Sequence, residues 1–204
     1  MKISRLRSVF SRGLQAIPVL LFVGLFASVS RGQTPVFKIM PDQSSVKFSV
    51  QASVALEGTF DKWDSTLTFT STDVKTGVLK IKIEADSVNT GSGMKDGKLK
   101  SKDFFDVKEN PYITFDSTKV IQTGPTTFEV DGTFTIRGVS KPEKLELTVS
   151  GVGTGSGEIK GTMAFDRKDY GMNSGIPFIK IADRVEVTVN LKGVRVSGPP
   201  LALK

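Results

Sequence analysis

Apolar and polar residues alternate along most of the chain after residue 32, with the period of two that is typical of strands buried on one face. In the run from Phe128 to Ile136, for example, apolar residues or glycine alternate with acidic residues and threonines. About eight or nine such runs follow one another, separated by clusters of Gly, Pro, Asp and Asn. No helical segment long enough for a parallel crossover lies between them. The pattern predicts one all-β domain, an antiparallel sandwich or barrel.

Three glycines fall on the apolar phase of these strands: Gly58, Gly132 and Gly161. A glycine at such a position suits a sharp bend, or a space-making position inside a curved barrel. We expect them to lie on the inner face of the sheet.

The alternation stops for about 25 residues after Ser87 and resumes at Ile113. A loop of this length in a compact domain is usually functional. It is rich in Gly, Lys and Asp, yet it also carries Leu99, Phe104 and Phe105 without a clean helical stripe. The segment predicts one or two short helical turns that form a plug at one end of the β structure.

Residues 1–32 contain five basic and no acidic residues, followed by an apolar run that ends in small residues. The apolar run is about 14 residues long, short of the roughly 20 that span a bilayer. We expect a cleaved signal peptide over residues 1–32, a single domain over residues 33–204, and a periplasmic or secreted protein. An uncleaved membrane anchor is the alternative.

The charge of the chain changes when this leader is set aside. Of the 28 basic residues, five lie in the leader, which leaves 23 against 21 acidic residues in the remainder. A nearly neutral domain has little electrostatic attraction to phosphates, so we expect no nucleic-acid partner.

The chain has no Cys and no His. These absences exclude disulfides, thiolate catalysis, His-based zinc sites and the Ser-His-Asp arrangement. Ser44-x-x-Lys47 and Lys75-Thr76-Gly77 match motifs of serine penicillin-recognising enzymes, but Ser44 precedes a strand where a helix is required, and the two motifs are too close in sequence. A near match to a P-loop at residues 92–98 lacks its first Gly and its final Ser or Thr. We therefore expect neither an enzyme nor a metal or organic cofactor.

Several motifs together resemble those of the YceI-like lipid/polyisoprenoid-binding proteins. They cover residues 36–196 and include the central run Asp86 to Phe115, Gly58-x-Phe60, Gly132-x-Phe134-Thr135-Ile136-Arg137-Gly138-Val139-x-Lys141-Pro142, and Arg167-x-Asp169-Tyr170-Gly171. The resemblance implies a lipocalin-like antiparallel β-barrel of about eight strands, whose interior holds a long apolar chain.

The alternation alone leaves open whether the inner face fills a core or lines a cavity. The resemblance favours a cavity that binds or carries a polyisoprenoid, an isoprenoid quinone or a fatty-acyl compound. The residues expected to line this apolar tunnel are Phe48, Val50, Leu56, Phe60, Leu67, Phe69, Ile81, Ile83, Leu99, Phe104, Phe105, Ile113, Phe115, Phe128, Val130, Phe134, Ile136, Leu147, Met163, Phe165 and Val187.

A head group of such a ligand needs polar partners, and the candidates are Lys95, Asp96, Lys98, Arg167 and Tyr170. The central run is expected to form the mouth or lid of the tunnel. As partners we expect the apolar ligand, transient contact with a membrane or a quinone-linked membrane protein, and a monomer or homodimer. The alternative function is an envelope stress or protein-interaction module with a filled barrel and no physiological small ligand.

Overall fold

The computed structural model describes residues 33–53, 56–151, 153–175 and 180–202. The predicted signal peptide of residues 1–32 lies outside this part of the chain. The described residues form eleven strands and one α-helix. In chain order they are β1 (Val36–Ile39), β2 (Ser45–Ala52), β3 (Leu56–Phe60), β4 (Trp63–Thr68), β5 (Val78–Glu84), β6 (Val88–Asn89), α1 (Gly93–Lys100), β7 (Tyr112–Gln122), β8 (Thr127–Ile136), β9 (Val139–Ser150), β10 (Ser156–Asp166) and β11 (Ile181–Ser197).

All of these strands belong to one curled sheet, whose ladders are antiparallel in the order β4-β5-β7-β8-β9-β10-β11-β2-β3-β6. The last long strand, β11, has 17 residues. It pairs with β10 along one edge, and with β2 and then β1 along the other. The sheet therefore brings the first and last strands of the domain side by side.

The predicted antiparallel barrel is confirmed, with more strands than expected. The additional strands β1 and β6 have four and two residues. Segments this short contain too few alternating positions for a period of two to be recognised. They are fixed by their partners β11 and β3 instead of by their own pattern.

The predicted plug is formed by α1 and the turns that follow it, residues 93–110. Leu99, Phe104 and Phe105 are buried against the sheet, and the ring of Phe105 lies 6.0 Å from that of Phe60, between centroids. The Phe105 N–H donates to Leu99 O at 2.9 Å, which turns the chain sharply after the helix. Two turns of helix and three buried apolar side chains are enough to close this end of the barrel.

The opposite end is bounded by β1 and by the terminal tail, residues 198–202. The Phe37 ring of β1 packs on Phe69 with centroids 5.7 Å apart. Ala202 N–H donates to Thr72 O at 2.8 Å, so the tail crosses from the end of β11 to the segment after β4. These contacts join β1 and the terminal tail to the segment after β4.

The glycines on the apolar phase make space for neighbouring side chains. A Cβ on Gly132 would lie 2.5 Å from Cζ of Phe115, and one on Gly161 would lie 2.6 Å from Cγ2 of Val189. Because real Cβ atoms do not approach this closely, both glycines let a neighbour fill the centre of the barrel.

Candidate functional site

A cavity of about 130 Å³ lies at the end of the barrel away from the plug. We call it the tail-side cavity. Its walls come from strand ends, the glycine loop (residues 151 and 153–157) and the terminal tail. The described residues that line it are Phe37, Leu67, Phe69, Val74, Gly77, Leu79, Val120, Phe128, Val130, Leu147, Val149, Ser150, Gly151, Gly153, Gly155, Ser156, Gly157, Ile159, Gly193, Arg195, Pro200 and Leu201.

The tail-side cavity opens to solvent. Leu147, Val149 and Ile159 point inward but are only half-buried, and the lining residues Gly151 and Gly153 are exposed. Apolar side chains on the inner face of a filled barrel would be fully buried. The sheet therefore leaves apolar surface accessible at this end.

A smaller cavity of about 60 Å³, the plug-side cavity, lies beneath the plug. Arg167 is the one charged side chain among its described lining residues. The others are apolar: Val46, Phe48, Val50, Leu56, Phe60, Ile83, Leu99, Phe104, Phe105, Ile113, Phe134, Ile136, Phe165, Met172, Ile181, Val185 and Val187.

A middle layer of buried side chains separates the two cavities. On β5, for instance, Leu79 lines the tail-side cavity, Ile83 lines the plug-side cavity, and Ile81 between them lines neither. The same succession on the other strands places in this layer the buried residues Ile81, Phe115, Leu145, Met163 and Val189.

The predicted tunnel residues are thus divided among three levels of the barrel. The tail-side cavity contains Leu67, Phe69, Phe128, Val130 and Leu147. The middle layer contains Ile81, Phe115 and Met163. The plug-side cavity contains Phe48, Val50, Leu56, Phe60, Ile83, Leu99, Phe104, Phe105, Ile113, Phe134, Ile136, Phe165 and Val187.

Of the predicted head-group residues, Arg167 is buried and held by the protein itself. Its Nε donates to Ala182 O at 3.2 Å, and its NH1 donates to Ser174 O at 2.9 Å and also to Met172 O. Its NH2 lies 3.0 Å from Oδ1 of Asp183. These bonds fix the connection between β10 and β11 and occupy every nitrogen of the guanidinium.

The same connection carries a paired carboxylate. The Lys168 ammonium, 2.7 Å from Oδ2 of Asp183, lowers the pKa of that carboxyl, and Arg167 contributes to the shift. Asp183 is therefore negative at neutral pH and balances the buried Arg167.

Tyr170 is completely buried. Its ring packs on Phe134 and Phe165, with centroids 5.5 and 5.2 Å away, and its hydroxyl donates to Oε1 of Glu143 at 2.8 Å. Burial and the hydrogen bond to Glu143 raise the pKa of Tyr170 far above the usual range. The hydroxyl is therefore protonated at neutral pH and donates to Glu143.

The polar residues of α1 also have protein partners. Oδ1 of Asp96 accepts from the Thr90 hydroxyl at 2.6 Å. Nζ of Lys98 donates to Oδ2 of Asp103 at 2.6 Å, and this hydrogen bond lowers the pKa of the Asp103 carboxyl. Lys95, like Lys98, lies on this helix. The structure thus places Lys95, Asp96 and Lys98 on the plug, and Arg167 and Tyr170 beside it.

A family model described as a YceI-like domain matches residues 37–193. The chain belongs to the YceI-like family.

Relatives and solved structures agree with this assignment. A UPF0312 protein of Pseudomonas savastanoi pv. phaseolicola is 28% identical over 145 residues, which cover 69% of this chain and 74% of that protein. BcnA of Burkholderia cenocepacia superposes with a TM-score of 0.69 at 24% identity, covering 76% of this chain and 99% of BcnA. A polyisoprenoid binding domain from Saccharophagus degradans, implicated in plant cell wall breakdown, superposes with a TM-score of 0.62 at 15% identity. The superposition covers 79% of this chain and 99% of that domain. At these identities the two solved structures show the fold of the YceI-like domain.

The structure adds residues that the sequence pattern did not single out. Phe37 and Leu201 line the tail-side cavity from the short strand β1 and the terminal tail. Arg195 lines it from the far end of β11. Neither β1 nor the tail has a recognisable alternation, and only the apolar run Val185 to Leu191 indicated that β11 exists. The same alternation continues to Gly193 and Arg195, and this continuation is the sequence signal that could have placed Arg195 on the inner face of β11.

Two negative observations apply to the described residues of this YceI-like domain. In residues 33–53, 56–151, 153–175 and 180–202, no cluster of three or more acidic side chains is arranged to hold a metal ion. Within the same ranges no helix has the length and apolar character needed to cross a membrane.

Proposed function

We propose that this YceI-like domain binds the apolar chain of a lipid, such as a polyisoprenoid, an isoprenoid quinone or a fatty-acyl compound, without chemical conversion. The observation that carries the proposal is the tail-side cavity, where half-buried apolar side chains face an opening to solvent. Removing apolar area from water contributes about 0.8 kcal/mol for each buried methylene group. The polyisoprenoid binding domain from Saccharophagus degradans, which has the same fold, supports the same class of ligand.

The size of the cavity indicates how the ligand enters. An engineered protein cavity of roughly 150 Å³ accommodates benzene, and the tail-side cavity has about 130 Å³. One end of a ligand fits this space directly. A longer chain extends toward the plug only when the side chains of the middle layer move aside.

The lining favours binding over catalysis. Among the described residues, the tail-side cavity has one ionisable side chain, Arg195, and an acid–base mechanism commonly uses a second group that accepts a proton. The plug-side cavity likewise has only Arg167 among its described lining residues, and each nitrogen of its guanidinium already has a protein partner.

We further propose that the protein works in the cell envelope after cleavage of residues 1–32. The basic, apolar and small-residue sections of that leader support export. A lipid carrier in this location takes up or delivers its ligand at a membrane.

A filled barrel that acts as a protein-interaction module is the second candidate. It is favoured by the middle layer, because Ile81 and Phe115 are both buried and close the centre of the barrel. In that case the tail-side cavity has no physiological ligand.

Organic extraction followed by mass spectrometry distinguishes the two candidates. The full-length gene is expressed in its own host, and the mature protein is purified without detergent. A stoichiometric isoprenoid or fatty-acyl compound is the expected result, and its consistent absence favours the filled module.

A matched pair of variants tests the location of the site. Val149→Trp fills the tail-side cavity and is expected to abolish binding of the neutral fluorescent probe N-phenyl-1-naphthylamine. Thr148→Trp places the same ring on the exposed outer face of β9 and is expected to bind the probe like the wild type. Equal binding by both variants would exclude this cavity as the site.

A further inference from the structure

Arg195 is the only ionisable side chain among the described residues that line the tail-side cavity. It lies on β11 opposite Phe37 of β1. Its backbone N–H donates to Gly155 O of the glycine loop at 2.8 Å, and its side chain donates from NH1 to Gly198 O of the terminal tail. Strand, loop and tail therefore meet at this residue and fix the guanidinium at the rim.

The charge of Arg195 is not balanced by a carboxylate within the described part of the chain, where none of the ion pairs includes it. Arg167 provides the contrast, since Asp183 and three carbonyls satisfy it. A guanidinium has five N–H donors in a planar fork. The bond to Gly198 O uses one of them and leaves Arg195 with donors for a ligand.

The surroundings of Arg195 give a ligand room to approach. Gly153 and Gly155 of the glycine loop have φ of 83° and 84°, which favours glycine, and a Cβ on either would meet nothing within 4 Å. The rim is thus open and polar, whereas the walls below it are apolar. An opening with one cation above an apolar cavity matches an amphiphile with an anionic head group.

We propose that Arg195 binds the anionic head group, a carboxylate or a phosphate monoester, of a lipid whose apolar chain occupies the tail-side cavity. This inference rests on the proposed function and names the class of ligand. A charged hydrogen bond from a guanidinium to a carboxylate or phosphate is stronger than one between neutral groups. The preference for an anion therefore comes from Arg195, and the remaining affinity comes from the apolar walls.

Displacement of N-phenyl-1-naphthylamine from the mature protein tests the inference with ligands of equal chain length. Dodecanoate and dodecyl phosphate are expected to displace the probe at about tenfold lower concentration than dodecanol, a ratio that corresponds to one charged hydrogen bond at a half-buried site. Arg195→Gln is expected to reduce this ratio to about one while dodecanol still binds, and Arg195→Lys is expected to keep most of it.

The matched control is Arg184→Gln, which removes an exposed guanidinium from the same strand and leaves the cavity lining unchanged. It is expected to keep the tenfold ratio. A ratio that falls equally in this variant would show that the net charge of the protein, not Arg195, attracts the anion.

The possible outcomes separate the two proposals. If none of the dodecyl compounds displaces the probe, the proposed lipid-binding function fails. If dodecanol and dodecanoate bind equally to the wild type, or if Arg195→Gln keeps the preference, lipid binding stands and the role of Arg195 is overturned. If millimolar inorganic phosphate alone abolishes the preference, Arg195 binds free anions and the assignment to a lipid head group is overturned.

Discussion

At the scale of single residues, Gly132 reports how tightly the middle layer is packed. A Cβ at this position would lie 2.5 Å from the Phe115 ring and 2.9 Å from Asp116 O, and the backbone oxygen cannot move freely. Gly132→Ala is expected to lower the free energy of unfolding by about 1–3 kcal/mol, as overpacked cores do. Urea denaturation measures the effect.

The control for this substitution is Gly97→Ala on α1, where a Cβ would meet nothing within 4 Å. It is expected to leave the stability unchanged or to raise it by up to about 1 kcal/mol, because Ala favours helix over Gly. In a Phe115→Leu background the cost of Gly132→Ala should fall. A cost that is unaffected by Phe115→Leu would place the strain in the backbone alone.

Tyr170 gives a prediction for alkaline pH. Its pKa in the folded state is raised by burial and by Glu143, whereas a tyrosine in the unfolded chain ionises near pH 10. Above about pH 10 the unfolded state therefore loses this proton first, and the stability falls as the pH rises. Absorbance at 295 nm, compared between wild type and Tyr170→Phe, should show no ionisation of Tyr170 before the protein unfolds.

The same variant tests the hydrogen bond at neutral pH. Tyr170→Phe removes the donor to Glu143 and is expected to cost about 0.5–1.5 kcal/mol in the free energy of unfolding. If ionisation of Tyr170 were observed in folded protein near pH 10, its burial between Phe134 and Phe165 would be wrong.

At the scale of elements, the terminal tail forms part of the wall of the tail-side cavity, and we expect it to restrict entry. Leu201 lines the cavity, and one backbone hydrogen bond from Ala202 to Thr72 holds the tail in place. Removal of residues 199–204 is expected to cost about 1 kcal/mol and to accelerate association of N-phenyl-1-naphthylamine in stopped-flow fluorescence. Gly198, the acceptor for Arg195, is retained. Unchanged association would show that the probe enters elsewhere.

The long strands and the plug were predictable from the sequence, because each strand repeats the alternation over many residues and the plug interrupts it. The strands β1 and β6 were not predictable, because segments of four and two residues are too short to show an alternation. The tail was missed for a related reason: its position depends on Thr72 and Asp73, far away in sequence. Local patterns identify elements, whereas the pairing of β1 and the position of the tail depend on contacts between distant segments.

At the scale of the whole molecule, the sequence predicted which residues face the inside of the barrel. It did not predict at which level of the barrel each of them lies. The predicted tunnel residues include members of both cavities and of the middle layer, because period two identifies the inner face and says nothing about depth. Phe115 illustrates the difficulty. Its ring reaches the centre only because Gly132 has no side chain, a relation between two strands that one strand cannot show.

Joining the two cavities gives a prediction about ligand length. Phe115→Ala removes the largest side chain of the middle layer, at a cost of about 3–5 kcal/mol in stability. In the wild type, geranylgeraniol should bind little more tightly than farnesol, because the middle layer limits the space. In Phe115→Ala, geranylgeraniol should bind more tightly than farnesol by a larger factor than in the wild type. Displacement of N-phenyl-1-naphthylamine measures both affinities.

Phe104→Ala is the control, since it enlarges only the plug-side cavity and leaves the middle layer intact. It should keep the wild-type ratio between the two alcohols. A similar gain in both variants would mean that the ligand reaches the plug by a route that avoids Phe115.

The pairing of β11 with the beginning of the domain also has a consequence for biosynthesis. The Lys192 N–H donates to the Ser44 hydroxyl at 2.9 Å, across 148 positions of sequence. Among the described strands, β1 pairs with this final strand alone, and β2 pairs with it along one edge and with β3 along the other. The ladder of β1, and the β11 side of β2, can therefore form only after β11 has been synthesised. Because such distant pairing is slow to form, a nascent chain of this design is expected to stay open along this seam until β11 has been synthesised.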